Sequence, residues 1–151
     1  MSVRLSVVIP VYRSQATLPE LYRRLVAVLE SLEPSFEIVL VEDCGGDNSW
    51  GVIQELARKD GRVHGIKLAR NYGQPNAILC GIRAAKGEFI VTIDDDLQNP
   101  PEEIHKLLSR LNEGYDVVYG SPQFETHGFF RDMASRVTKL ALQGAMGVES
   151  A

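Results

Sequence analysis

Apolar, β-branched runs recur along the chain at near-regular spacing: Leu5 to Tyr12, Phe36 to Glu42, Val63 to Ala69, Glu88 to Ile93 and Asp116 to Gly120. Their length and composition predict five strands. Between the first two, Leu18, Leu21, Tyr22, Leu25, Val28, Leu29 and Leu32 repeat at three- and four-residue steps, which predicts a helix with one apolar face. Further helices are predicted from about Asn48 to Lys59, Asn76 to Ala85 and Pro100 to Asn112. Strictly alternating strands and helices joined by short loops require crossover connections. The expected fold is therefore α/β, a Rossmann-like, mostly parallel sheet with helices on both faces.

After residue 120 the pattern changes. Residues 121–128 read as a loop, followed by a helical repeat of Phe130, Met133, Ala134, Val137, Leu140 and Ala141, with Arg136 and Lys139 on the other side. The chain is thus divided into a core over residues 1–120 and a loop plus amphipathic helix over residues 121–151. That second part reads as incomplete, as though truncated at the C-terminus.

Composition narrows the classes. Apolar residues make up 44%, charged residues 24% and aromatic residues 7%, within the range of ordinary globular proteins rather than disordered or fibrous ones. A net charge of -4 disfavours nucleic acid as a partner. Cys44 and Cys80 show no metal-ligand or redox spacing and are expected to be reduced thiols in a cytoplasmic setting. No signal-peptide pattern and no run of about 20 apolar residues is present, so the chain is expected to be soluble. His64, His105 and His127 are scattered and receive no role.

The sharpest chemical signal is Asp94, Asp95, Asp96, Leu97, Gln98, where the fourth strand ends. Ligands of open parallel sheets gather at the carboxyl ends of strands. Alternation along an extended backbone puts Asp94 and Asp96 on one side and Asp95 on the other. Two carboxylates there suit a hard cation, Mg²⁺ or Mn²⁺, with Gln98 as a further oxygen donor and a diphosphate and water completing the shell. By itself such a triplet is more often a solvated turn leading into a helix. Asn99, Pro100, Pro101 and Glu102 then read as a helix start, with Asn99 as cap. At the ends of the other strands stand Pro10, Val11 and Tyr12, with Tyr12 placed to stack beside a base, and Glu42 and Asp43, whose carboxylates can accept a base N–H. Asp47 or Asn48 can cap the helix that follows. Arg70, Asn71, Tyr72, Gly73 and Gln74 follow the third strand, either as contacts for a diphosphate or sugar or as an ordinary polar turn.

Taken in order, the stretches LSVVIPVY (5–12), EIVLVEDCGGDNS (37–49), LARNYGQPNAILCGI (68–82), GEFIVTIDDDLQNPPEEI (87–104) and GYDVVYG (114–120) resemble family 2 glycosyltransferases of the GT-A fold, specifically the polyprenyl-phosphate glycosyltransferases. The resemblance covers nearly the whole chain. It implies a nucleoside site at Pro10, Val11, Tyr12 and Asp43, with Arg70, Asp94 and Asp95 also on the nucleotide side, and a metal held by Asp94, Asp96 and Gln98. It makes Asp96 catalytic, together with Arg131, which matches a basic position in an acceptor loop. Asp95 stands where relatives usually carry a small residue, and Arg13, Cys44 and Glu42 also depart from the family pattern.

The implied reaction is an inverting displacement at the anomeric carbon of a nucleotide sugar, UDP favoured over GDP, by a polyprenyl phosphate acceptor. Such an enzyme would serve cell-envelope glycan synthesis, with the full-length protein at the cytoplasmic face of the membrane. The alternative is a non-catalytic nucleotide-sugar-binding fragment or sensor. A dinucleotide-dependent oxidoreductase would need glycines after the first strand, and Tyr12, Arg13, Ser14 and Gln15 include none.

Overall fold

In the computed structural model, residues 3–120 are described. Four parallel strands, β1 (Leu5–Val11), β2 (Phe36–Glu42), β3 (Val63–Lys67) and β4 (Phe89–Thr92), lie in the order β3-β2-β1-β4. Helices α1 (Leu18–Leu32), α2 (Ser49–Lys59) and α3 (Gln74–Ala84) connect them, and a short 3₁₀ turn (Pro101–Glu103) leads into α4 (Ile104–Asn112). This is the expected alternating parallel architecture.

The two faces of β1 and β2 are buried for different reasons. Odd positions of β1 (Leu5, Val7, Ile9, Val11) and even positions of β2 (Phe36, Ile38, Leu40) meet the apolar stripe of α1, where Leu18, Leu21, Leu25 and Leu29 are all at most 1% exposed. The opposite face carries Val8, Val39 and Val41, covered by Ala77 of α3. That helix rests close to the sheet because Gly81 has no side chain: a Cβ there would sit 2.3 Å from Val8 Cγ1. Polar groups are buried here as well. Glu37 accepts from Ser6 Oγ (2.7 Å) and from the Lys86 N–H (2.6 Å), tying β1, β2 and the α3–β4 turn together.

The fifth predicted strand is a correction. Asp116 to Gly120 forms no strand, and Tyr115 and Val117 stand exposed. An extended segment becomes a strand only when its N–H and C=O groups meet a neighbour's. Among the described residues β4 pairs with β1 alone, so no strand faces this segment. A second correction concerns caps. Asn99 does not cap the helix after the acidic turn; the 3₁₀ turn starts after Pro100, without a side-chain cap bond. At α2, Asn48 holds the cap position, while the Asp47 carboxylate accepts from the Ser49 N–H (3.1 Å). The amphipathic pattern after residue 120, including Arg131, lies outside the described residues.

Candidate functional site

Because every strand is parallel, the carboxyl ends of β1, β2, β3 and β4 share one edge of the sheet. Register fixes this: Val11 stands opposite Glu42, Glu42 opposite Lys67, and Val8 opposite Thr92. The loops leaving these ends carry the candidate residues, and hydrogen bonds knit them together.

At the end of β4 the three aspartates separate. Asp94 accepts from Nε2 of Gln74 (2.6 Å), the first residue of α3. Asp95 turns the other way, where its Oδ2 accepts from the Tyr12 N–H (2.9 Å) and from the Ser14 hydroxyl. Asp96 is exposed and its Oδ1 accepts from the Gln98 N–H (3.0 Å), closing a small turn in which Leu97 takes a left-handed φ of 63°. β4 ends at Thr92 and the chain bends at Asp95 and Asp96, so bonds to Tyr12 and Ser14, rather than alternation along a strand, set Asp95 apart. Burial raises the carboxyl pKa of Asp94 above the usual range; the charge of Asp96 adds to this, and that of Asp95 less, against the lowering bond from Gln74.

Those carboxylates fit a divalent cation by the chemistry of the donor set. They crowd negative charge at one turn, and a cation there would relieve it. Among the described residues no three His, Cys, Asp or Glu side chains converge as an enclosed metal cage. A cation at this turn would therefore need further oxygens from a ligand and water, as a hard ion accepts.

The neighbouring loops are fixed from below. Asp43, 3% exposed, accepts from the Tyr72 N–H (2.7 Å) and the Gly73 N–H (2.8 Å), so this carboxylate holds the loop after β3 against β2. Glu42 is equally buried and takes the Gly45 N–H (2.8 Å), which shapes the turn after β2 and leaves it a structural group. Arg13 and Cys44 both sit at left-handed φ, 57° and 56°, and Arg13 Nε donates to the Gly45 carbonyl (2.9 Å). Gly45 is required there, since a Cβ would lie 2.6 Å from the Arg13 backbone nitrogen.

On the rim, Tyr12 is half exposed with the Arg13 guanidinium 5.2 Å from its ring centroid, and the Arg70 guanidinium lies 4.8 Å from the ring centroid of Tyr72. Pro10 and Val11 are buried in β1; the Val11 side chain lies wholly in the core and its carbonyl accepts from the Asp43 N–H. Gln98 is exposed on the turn. Sequence reading missed the anchors Ser14 and Thr17. The available signal was hydroxyl residues at a strand-to-helix turn, a place where they bond to backbone and carboxylates.

A larger surface groove, about 490 Å³, lies elsewhere, between α1 and the 3₁₀ turn. Its charges are already paired, Arg23 with Glu20 and Arg24 with Glu102, which leaves it little to offer a ligand.

Known proteins share this fold. Among solved structures, S. aureus TarS 1-349 in complex with UDP matches with a TM-score of 0.62 at 23% identity, over 80% of this chain and 38% of that one. The mannosyltransferase PcManGT from Pyrobaculum calidifontis, in complex with GDP-Man and Mn²⁺, matches with a TM-score of 0.58 at 19% identity, over 68% of this chain and 30% of that one. At such identities these establish the GT-A fold. By sequence, the undecaprenyl-phosphate 4-deoxy-4-formamido-L-arabinose transferase of Pseudomonas paraeruginosa is 47% identical over 144 residues, 95% of this chain and 42% of its own length. The protein of the same description from Enterobacter sp. (strain 638) is 45% identical over 95% of this chain and 44% of its own length. The chain thus spans less than half the length of these curated relatives. The sequence model described as Glycosyl transferase family 2 matches residues 6–145, and with the fold and the relatives in agreement the chain belongs to that family.

Proposed function

We propose that this chain forms the donor-binding part of an inverting glycosyltransferase that moves a sugar from a nucleoside diphosphate to a polyprenyl phosphate, in cell-envelope glycan synthesis at the cytoplasmic face of the membrane. One observation carries the reading: Asp94 and Asp96 stand at the carboxyl edge of the sheet, with Asp95 bonded away from them and the loops of β1, β2 and β3 braced around the turn.

In this reading the nucleoside lies against Tyr12, whose ring is open on one face, with Pro10 and Val11 forming the backbone wall behind it. Each Asp43 oxygen keeps a lone pair beyond the loop amides it accepts, enough for a base N–H. The Arg70 guanidinium, exposed above Tyr72, offers donors to a phosphate. Asp94, Asp96 and Gln98 would hold Mg²⁺ or Mn²⁺, which supplies Lewis-acid stabilisation of the charge that collects on the leaving diphosphate. The residues' own contributions are orientation and charge: Gln74 fixes Asp94, and the Gln98 N–H fixes Asp96. A phosphate acceptor is already ionised near neutral pH, with a second pKa of about 6, so attack needs no strong general base. Arg131 is assigned to a phosphate of donor or acceptor. The basic, amphipathic pattern around it supports a role at an anionic membrane surface.

A uridine donor is the preference that the family resemblance of the stretches RNYGQ and DDDLQNPPE implies. The reading is tested by transfer of a radiolabelled sugar from a uridine donor to undecaprenyl phosphate, using a chain of the relatives' full length with these residues. Transfer in Mn²⁺ that Asp96→Asn lowers at least about a hundredfold is expected, the loss typical of a charge-stabilising group in an active site. Full transfer by Asp96→Asn, or preference for a guanosine donor, would contradict the corresponding part.

A further inference from the structure

Resting on the donor-site reading above, we infer that Asp95 is a positioning residue: it locks the loop between β1 and α1, with Tyr12 on it, to the acidic turn that carries Asp94 and Asp96.

Asp95 reaches that loop through three hydrogen bonds that bridge about half the length of the chain. Its Oδ2 accepts from the Tyr12 N–H (2.9 Å) and from the Ser14 hydroxyl, and its carbonyl accepts from Thr17 Oγ1 (2.8 Å). The receiving side is rigid. Ser14 is 8% exposed, its N–H donates to Ser49 Oγ (2.9 Å) at the start of α2, and its carbonyl accepts from the Thr17 and Leu18 N–H groups as α1 begins. The acidic turn, in contrast, hangs from β4, a four-residue strand that pairs on one side only among the described residues. Asp95 therefore joins a weakly held turn to a strongly held one.

Its two neighbours take no part in this brace. Asp94 bonds to Gln74 and Asp96 to the Gln98 N–H. With two donors on its Oδ2, Asp95 orients the turn while Asp94 and Asp96 face the ligand. The nucleoside wall and the diphosphate end of the site then move as one body, and the distance between them is set before the donor arrives. Preorganisation of that kind raises affinity by removing the ordering cost from the binding step.

A double-mutant cycle tests the brace. Two readouts are taken on the 151-residue chain: hydrogen exchange at the Tyr12 amide without ligand, and calorimetric affinity for UDP in Mn²⁺. In Asp95→Ala the Tyr12 amide should exchange at least about tenfold faster and UDP should bind about tenfold more weakly, as expected for loss of a charge-assisted bond. Ser14→Ala should weaken UDP binding by itself but add little on top of Asp95→Ala, because the two act through one contact. Asp95→Asn keeps an oxygen for the Tyr12 N–H, so its affinity should return to within about threefold of the unsubstituted chain and stay Mn²⁺-dependent.

An unchanged Tyr12 amide in Asp95→Ala would overturn the inference. So would loss of Mn²⁺ dependence in Asp95→Asn as complete as in Asp96→Asn, which would make Asp95 a metal ligand. Should the unsubstituted chain bind no nucleoside diphosphate, the proposed function falls, whereas the amide-exchange result still decides the role of Asp95.

Discussion

Asp60, far from the candidate site, shows how strongly a single carboxylate can be held in this fold. It accepts from Arg62 through the backbone N–H (2.9 Å), Nε (2.9 Å) and Nη2 (2.8 Å), and from the Tyr22 hydroxyl (2.9 Å). Bonding to the Arg62 side chain is the main reason its pKa is lowered to about 2. A depressed carboxylate pKa stabilises the fold above the unfolded value near 4, and that contribution disappears as pH falls through about 2. Because Arg62 is partly solvated, Asp60→Asn should cost only about 1–2 kcal/mol at neutral pH. Urea unfolding at several pH values should show a constant gap between Asp60→Asn and the unsubstituted chain down to about pH 4, narrowing below it. A gap that widens on acidification would contradict the assignment. At the site itself, the place of the acidic triplet just after β4 was legible. The loop amides on Asp43 and the burial of Glu42 were not, because such bonds depend on which loops meet in space.

Elements were the most legible level. β2 and α1 occupy the bounds that their apolar patterns predict, and β1, β3, β4, α2 and α3 differ from prediction by only one or two residues at either end. The reason is that burial on both faces demands the continuous apolar runs of β1 and β2, and burial on one side demands a single stripe in a helix. Caps were less legible, since Asn99 had the right residue type but the backbone enters through a 3₁₀ turn. Helix packing was hidden too. Gly81 reads as a weak point in α3, yet it is what admits the helix to the sheet. Gly81→Ala gains up to about 1 kcal/mol of helix propensity, but its methyl would meet the stiff Val8 side chain, an overpacking cost of typically 1–3 kcal/mol. A net destabilisation of about 1–2 kcal/mol is expected in urea unfolding, with secondary structure retained. A stabilised variant would show that α3 does not rest on β1 as described.

At the scale of the whole molecule, the parallel sheet gathers its strand ends on one edge, and the loops there brace one another through Asp43, Gln74 and Asp95. Sequence pattern predicted that edge because strand–helix alternation fixes strand direction. It did not predict the order β3-β2-β1-β4, which depends on how helices distribute over the two faces. Nor did it predict that Asp116 to Gly120 would find no strand partner among the described residues, since a strand-like pattern says nothing of a partner. Under the proposed function this edge binds a metal–diphosphate through Asp94 and Asp96. The most direct measurement is calorimetric titration of UDP into the 151-residue chain, once in Mn²⁺ and once in EDTA. Without a cation the crowded carboxylates would repel a diphosphate, whereas a cation held between them would attract it. Affinity should be at least about tenfold higher in Mn²⁺, a difference of about 1.4 kcal/mol, and that difference should disappear in Asp96→Asn. Equal affinity for UDP in Mn²⁺ and in EDTA would contradict it.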